Sequence, residues 1–176
     1  MGNTRAWPVL HTTDLNEAWN LATALLKIAS WYRPDACYLN AWANTDDELR
    51  RLTETHPTAS VTPYGRDGAT LPASLDLAAD DSERSRENLR AWADITSCHI
   101  LWHDLKWPPV PELGLEYEEY KYAELEIACH SHDIHCEEWT PDHTVFVHAR
   151  PGHDERAAWL ARQVGAEVVG PPEFGW

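Results

Sequence analysis

Apolar positions along the chain switch between short continuous runs and stretches with helical spacing. AWPVLHTT reads as a strand. Behind it Asp14 caps a helix in which Leu15, Ala18, Trp19, Ala22, Leu25, Leu26 and Ala29 share one face, and Pro34 ends any continuation. ACYLNAW (Ala36 to Trp42) reads as a buried strand, NTDDELRRLTETHP as a helix capped at Asn44 or Thr45, and ASVTPYG as a short strand closed by Pro63. The Gly, Pro, Asp and Ser content of Tyr64 to Ser82 predicts a long loop. SRENLRAWADITS predicts a helix burying Leu89, Trp92 and Ala93, followed by the most hydrophobic strand, CHILWHD (Cys98 to Asp104). Trp107, Pro108, Pro109 and Pro111 stiffen the next connection.

In YKYAELEIA (Tyr120 to Ala128), Tyr120, Ala123, Ile127 and Ala128 fall at helical spacing, which puts Glu124 inside a buried stripe and Glu126 on the far side. The remainder alternates again. IHCEEW and TVFVHAR read as strands, GHDERAAWLARQVG as a helix with Asp154 as cap and Gly165 as stop, and AEVVG as a last strand.

Strands alternating with helices predict a mostly parallel sheet covered on both faces: a single three-layer α/β domain of Rossmann-like, flavodoxin-like type over residues 1–176, with 140–176 an added strand–helix–strand unit. In such sheets the ligand crevice lies beyond the carboxyl ends of the strands. That rule gathers Trp42 to Thr45, Asp104 and the start of the Glu124 helix on one rim.

Composition narrows the partners. A formal charge of −15 argues against a broad phosphate-binding face for DNA or RNA, while leaving room for a small anionic ligand held by local donors. The ten tryptophans are scattered and read mainly as core or interface packing. The first residues lack the continuous apolar segment of a signal peptide, and Asn20, Thr23 and Lys27 interrupt the longest apolar helix, so a soluble cytoplasmic protein without a membrane partner is expected. The four cysteines, Cys37, Cys98, Cys129 and Cys136, do not suggest a disulfide framework.

The candidate chemistry centres on Glu124. A carboxyl in a poorly solvated stripe has its pKa raised unless it is paired, and the alternatives are a half-exposed position or a pair with Lys121.

YLNAW (Tyr38 to Trp42), RENLRAWADITSCHILWHDL and AELEIA resemble, in order and approximate spacing, the three signature regions of nucleoside 2-deoxyribosyltransferases and their nucleoside hydrolase relatives, over roughly Ala36 to Trp139. The resemblance implies cleavage or transfer at a nucleoside or nucleotide N-glycosidic bond, with Glu124 as nucleophile, Tyr38 positioning it and Glu118 contacting sugar hydroxyls. The family's helix acid aligns with Asn88, which hydrogen-bonds but cannot protonate, so Glu87 or Asp104 would have to serve as acid. Trp42 lies beside the same rim. Tyr120, Lys121 and Tyr122 stand where the family has small residues, and Glu126 replaces a glycine. The resemblance also suggests that aromatic residues at the C-terminus, Phe174 and Trp176, reach into a neighbouring subunit of a homo-oligomer. It calls for no cofactor.

Other constellations compete. CHSHDIHC packs Cys129, His130, His132, Asp133, His135 and Cys136 into one run, but a tetrahedral zinc site normally joins two separated clusters. His103 and Asp104 end a strand, where adjacent side chains face opposite sides. PGHDE offers a helix start with one glycine and reads first as ordinary capping. Phosphate-binding glycine loops and nucleophile elbows are missing from the sequence. Beside the glycosidase reading stand a non-catalytic nucleotide-binding or protein-interaction domain and a metal-binding protein built on the Cys/His run.

Overall fold

The computed structural model describes residues 4–33 and 35–174. The expected helix stop at Pro34 and the terminal Trp176 lie outside the described residues. Ten strands occur among the described residues: β1 (Arg5–Thr12), β2 (Ser30–Trp31), β3 (Cys37–Ala43), β4 (Ser60–Pro63), β5 (Ala73–Ala78), β6 (Cys98–Trp102), β7 (Leu105–Lys106), β8 (Glu124–Cys129), β9 (His143–Ala149) and β10 (Glu173–Phe174). The helices are α1 (Leu15–Leu26), α2 (Asp46–Thr55), α3 (Glu83–Ala93) and α4 (Asp154–Gln163).

Eight strands form one sheet in the order β10-β1-β9-β8-β6-β3-β5-β4, and every described pairing in it is antiparallel. This overturns the expected mostly parallel, three-layer Rossmann-like sheet. Two misread segments explain the difference. β5 lies inside the stretch expected to be a loop, and β8 is the segment expected to be the Glu124 helix. Once YKYAELEIA supplies a strand, β6, β8 and β9 follow one another without an intervening helix, so the chain returns antiparallel instead of crossing over. A short apolar run fits both periods, and its length of six residues suits a strand. The expected strand at IHCEEW is loop, and AEVVG is irregular chain whose Val169 N–H donates to the Pro8 carbonyl at 2.9 Å. Within the 140–176 segment, β9 lies between β1 and β8 inside the sheet.

The helices form where the spacing predicts. Asp14 caps α1 by accepting from the Asn16 N–H at 2.9 Å, and Leu15, Ala18, Trp19, Ala22, Leu25 and Leu26 are buried. Thr45 and Glu48 close a reciprocal capping box on α2, and Ser82 caps α3. α4 begins at Asp154 with His153, not Asp154, in the cap position, and Gly165 follows it with φ +75°.

Register divides the sheet into two faces. Leu77, Leu39, Ile100, Ile127, Val145 and Leu10 are successive cross-strand partners, and with Leu75 and Val147 they pack against Leu52, Leu89, Trp92, Leu160 and the apolar face of α1. Each fully buried leucine of this layer contributes about 2 kcal/mol by removal from water. The opposite face carries the polar partners: Asp76, Asn40, His99, Ala128 and Thr144 in one row, and Tyr38, Leu101, Glu126 and Phe146 in the next. Part of that face is covered by the β8–β9 connection, which lays Ile134 on Ala6, Ala128 and Phe146.

Candidate functional site

The helix-free face of β3, β5 and β6 holds a cleft of about 430 Å³ lined by Tyr38, Asn40, Trp42, Tyr64, Ser74, Asp76 and His99. Strand alternation puts Tyr38, Asn40 and Trp42 on this face while Cys37, Leu39, Ala41 and Ala43 enter the core. Trp42 and Tyr64 are in contact at a 5.0 Å ring separation and both remain exposed. Across the floor, the Asn40 side-chain amide donates to Ser74 Oγ at 2.7 Å and to Asp76 Oδ1 at 2.8 Å. Asp76 is the cleft's one carboxylate, and neither Lys nor Arg is among the residues lining it.

His99 leads from the cleft into a buried row of alternating imidazoles and carboxylates. Its Nδ1 lies 3.1 Å from Glu126 Oε1, and Glu126 Oε2 accepts a hydrogen bond from His148 Nε2, also at 3.1 Å. His148 Nδ1 is 3.2 Å from Thr4 Oγ1 and 3.5 Å from Glu124 Oε2. Glu126 and His148 are fully buried, whereas the Glu124 side chain keeps 19% exposure. Burial alone would raise the Glu126 pKa, but the two histidines that flank it hold it down at about 2. Glu124 moves the other way: burial raises it, His148 offsets part of the rise, and Glu126 and Asp104 add to it. Burial and the nearby carboxylates of Glu126 and Glu124 push the Tyr38 phenol up to about 12, so it stays a neutral hydroxyl.

The structure distributes the sequence-derived candidates unevenly. Tyr38 and Trp42 line the cleft. Glu124 begins a strand, not a helix, on the same sheet face, but it is not one of the cleft's lining residues. Glu126 is the deeper of the two carboxylates instead of pointing outward, because period two puts residues 124 and 126 on one face. Asp104 follows β6 with φ +54° and lies 3.6 Å from Arg33 and 3.5 Å from His103. Glu118 pairs with Lys106 at 3.7 Å in an exposed loop. Glu87 and Asn88 belong to α3, in the helix layer across the sheet from Glu124, and Asn88 Oδ1 meets His56 Nε2 at 2.8 Å. Asp104 stays near Glu124, close enough to help raise its pKa, while Glu87 and Asn88 do not join them.

The Cys/His run also disperses. Cys129 enters the helix-side core opposite Cys98, Cys136 Sγ approaches the Cys98 carbonyl, His130 stacks on Trp139, and His132 pairs with Asp142. Among the described residues no group of three or more His, Cys, Asp or Glu is arranged to hold a metal ion, and no helix is long and apolar enough to cross a membrane.

Sequence reasoning missed His99, His148, Asn40, Ser74 and Asp76. The signal for His99 was present in CHILWHD: once that run is a strand, His99 faces away from Cys98 and Ile100. Asp76 was hidden in the stretch read as a loop. Comparison with family models, curated proteins and solved structures gave no match to this chain.

Proposed function

We propose that the cleft binds a small, ring-bearing, uncharged or cationic molecule of nucleoside or free-base type, and that His99, oriented by Glu126, exchanges a proton with it. The observation that carries this reading is the buried Glu126 carboxylate 3.1 Å from an imidazole that lines an aromatic-walled cleft. A carboxylate behind a histidine fixes the ring's orientation and stabilises its protonated form, as a general acid–base requires. Trp42 and Tyr64 offer ring faces for stacking, while the Ser74 hydroxyl offers a donor and Asp76 an acceptor for polar ring edges. The volume suits one such ligand. Asp76 and the missing basic lining disfavour a phosphate, so a nucleoside fits better than a nucleotide.

This reading keeps the substrate class suggested by the resemblance and moves the chemistry from Glu124 to His99. Glycosidic cleavage fits it as proton donation from His99 to the departing base as the C–N bond breaks, with water adding to the anomeric carbon and returning a proton to the imidazole. The test is calorimetric titration with a panel of nucleosides and bases, together with detection of released base. Trp42→Ala should weaken binding about tenfold or more through lost stacking. His99→Gln should retain binding and lose turnover. Binding indifferent to both Trp42→Ala and Asp76→Asn, or no binding by any member of the panel, would reject the reading.

A further inference from the structure

A second cavity of about 480 Å³ opens where β3 ends, α3 ends and the β8–β9 connection passes. Its walls include two tryptophans, Trp42 and Trp139, the second 65% exposed and stacked on His130 at 5.2 Å with ring planes 15° apart. Its charged groups are acidic. Asp94 and Glu137 line it with Glu48, whose Oε2 also accepts from the Asn44 and Thr45 N–H groups, and no Lys or Arg is among the lining residues. The stretch from Ala93 to Ser97 along its wall leads out of the C-terminal end of α3, the negative pole of that helix.

From these features we infer that the cavity binds a small molecule through an alkylammonium head group. An aromatic face attracts a cation most strongly when it is tryptophan, and nearby carboxylates add to that attraction. Phosphates and carboxylates meet the opposite field. A hard metal ion would seek converging oxygens, which the described residues do not supply. An organic ammonium uses the whole wall, because its apolar substituents lie on the indole rings while its charge is met by Asp94 and Glu137. The site stands apart from the ring-binding cleft, although Trp42 borders both.

The experiment is a low-salt calorimetric titration of the full chain with choline, with its neutral carbon isostere and with calcium. Saturable choline binding is expected, with the isostere at least about tenfold weaker. Trp139→Ala and Glu137→Gln, both in the exposed connection, should each weaken choline about three- to thirtyfold, and raised salt should weaken it further. Asp76→Asn and His99→Gln should leave choline binding unchanged, so failure of the nucleoside reading does not register here. Equal binding of choline and its isostere, displacement of choline by equimolar calcium, or indifference to both Trp139→Ala and Glu137→Gln would overturn the assignment.

Discussion

Glu126 and His99 sit one diagonal step apart on the adjacent antiparallel strands β8 and β6, with Oε1 and Nδ1 separated by 3.1 Å and both side chains buried. His148 on β9 closes the same carboxylate from its other side at 3.1 Å. A fully buried carboxylate between two imidazoles differs in kind from Glu124, which lies at the strand's edge with a single histidine nearby. The contrast has a measurable consequence.

Glu126→Gln should destabilise the fold by about 3 kcal/mol, since it replaces the buried carboxylate that two imidazoles face and leaves polar atoms mismatched. Glu124→Gln should cost less than about 1 kcal/mol or stabilise, because burial already disfavours the Glu124 charge. Urea unfolding at neutral pH separates the two. Equal losses would show that the row acts as one unit.

Stability should fall in two acid steps. His143 is lowered to about 4, first by burial and then by its neighbour His130, so the unfolded chain takes up its proton before the folded one does. The stabilising contribution is complete above its ordinary value of 6.5 and is lost as pH falls through 4. Glu126, held at about 2, contributes fully above its ordinary 4.5 and loses that contribution as pH falls through 2. The raised Glu124 runs in the opposite sense, because the folded state protonates it first, and it blunts the second step. Each depressed group accounts for about 2–3 kcal/mol over its window. Unfolding free energies measured from about pH 7 to about pH 1.5 should show both steps, and His143→Gln should flatten the first.

Arg156 ties the stiff proline-bearing connection to α4. Its guanidinium donates to the carbonyls of Pro108 and Tyr117 and lies 3.6 Å from Glu119, which in turn accepts from the Arg150 N–H at 2.8 Å and contacts His153 at 2.7 Å. Arg156→Met should cost about 3 kcal/mol, since it leaves the Pro108 and Tyr117 carbonyls without their donor and takes the cation away from buried Glu119. Hydrogen exchange should rise first at Trp107 and Glu119, which bridge to each other through paired backbone bonds. Uniform loss of protection would point to global unfolding instead.

Asn40→Asp tests the cleft floor. The amide that bridges Ser74 and Asp76 would become a second carboxylate against Asp76, so one of the pair should titrate well above the ordinary carboxylate range. Carboxyl-carbon NMR titration reads this directly, and two ordinary titrations would contradict the geometry.

The sequence by itself determined the helices and most of the core strands. Asp14 and Thr45 mark helix starts through their side-chain oxygens, and the spacing of Leu15 through Leu26 or of Leu89 and Trp92 repeats a helical face, whereas the Ser82 cap of α3 lies at the end of the stretch read as a loop. CHILWHD and TVFVHAR likewise hold as strands. Tertiary structure alone decided how the strands are paired and which acid is buried. The six residues of β8 satisfy both a helical and an extended period, and the choice falls to neighbours: β6 and β9 supply backbone partners on both edges, turning residues 124 and 126 onto one face together. Local chemistry marks where an element begins, but the long-range hydrogen bonds of an antiparallel sheet bring His99, Glu126 and His148 together from three separated strands, and no spacing along one strand records that meeting.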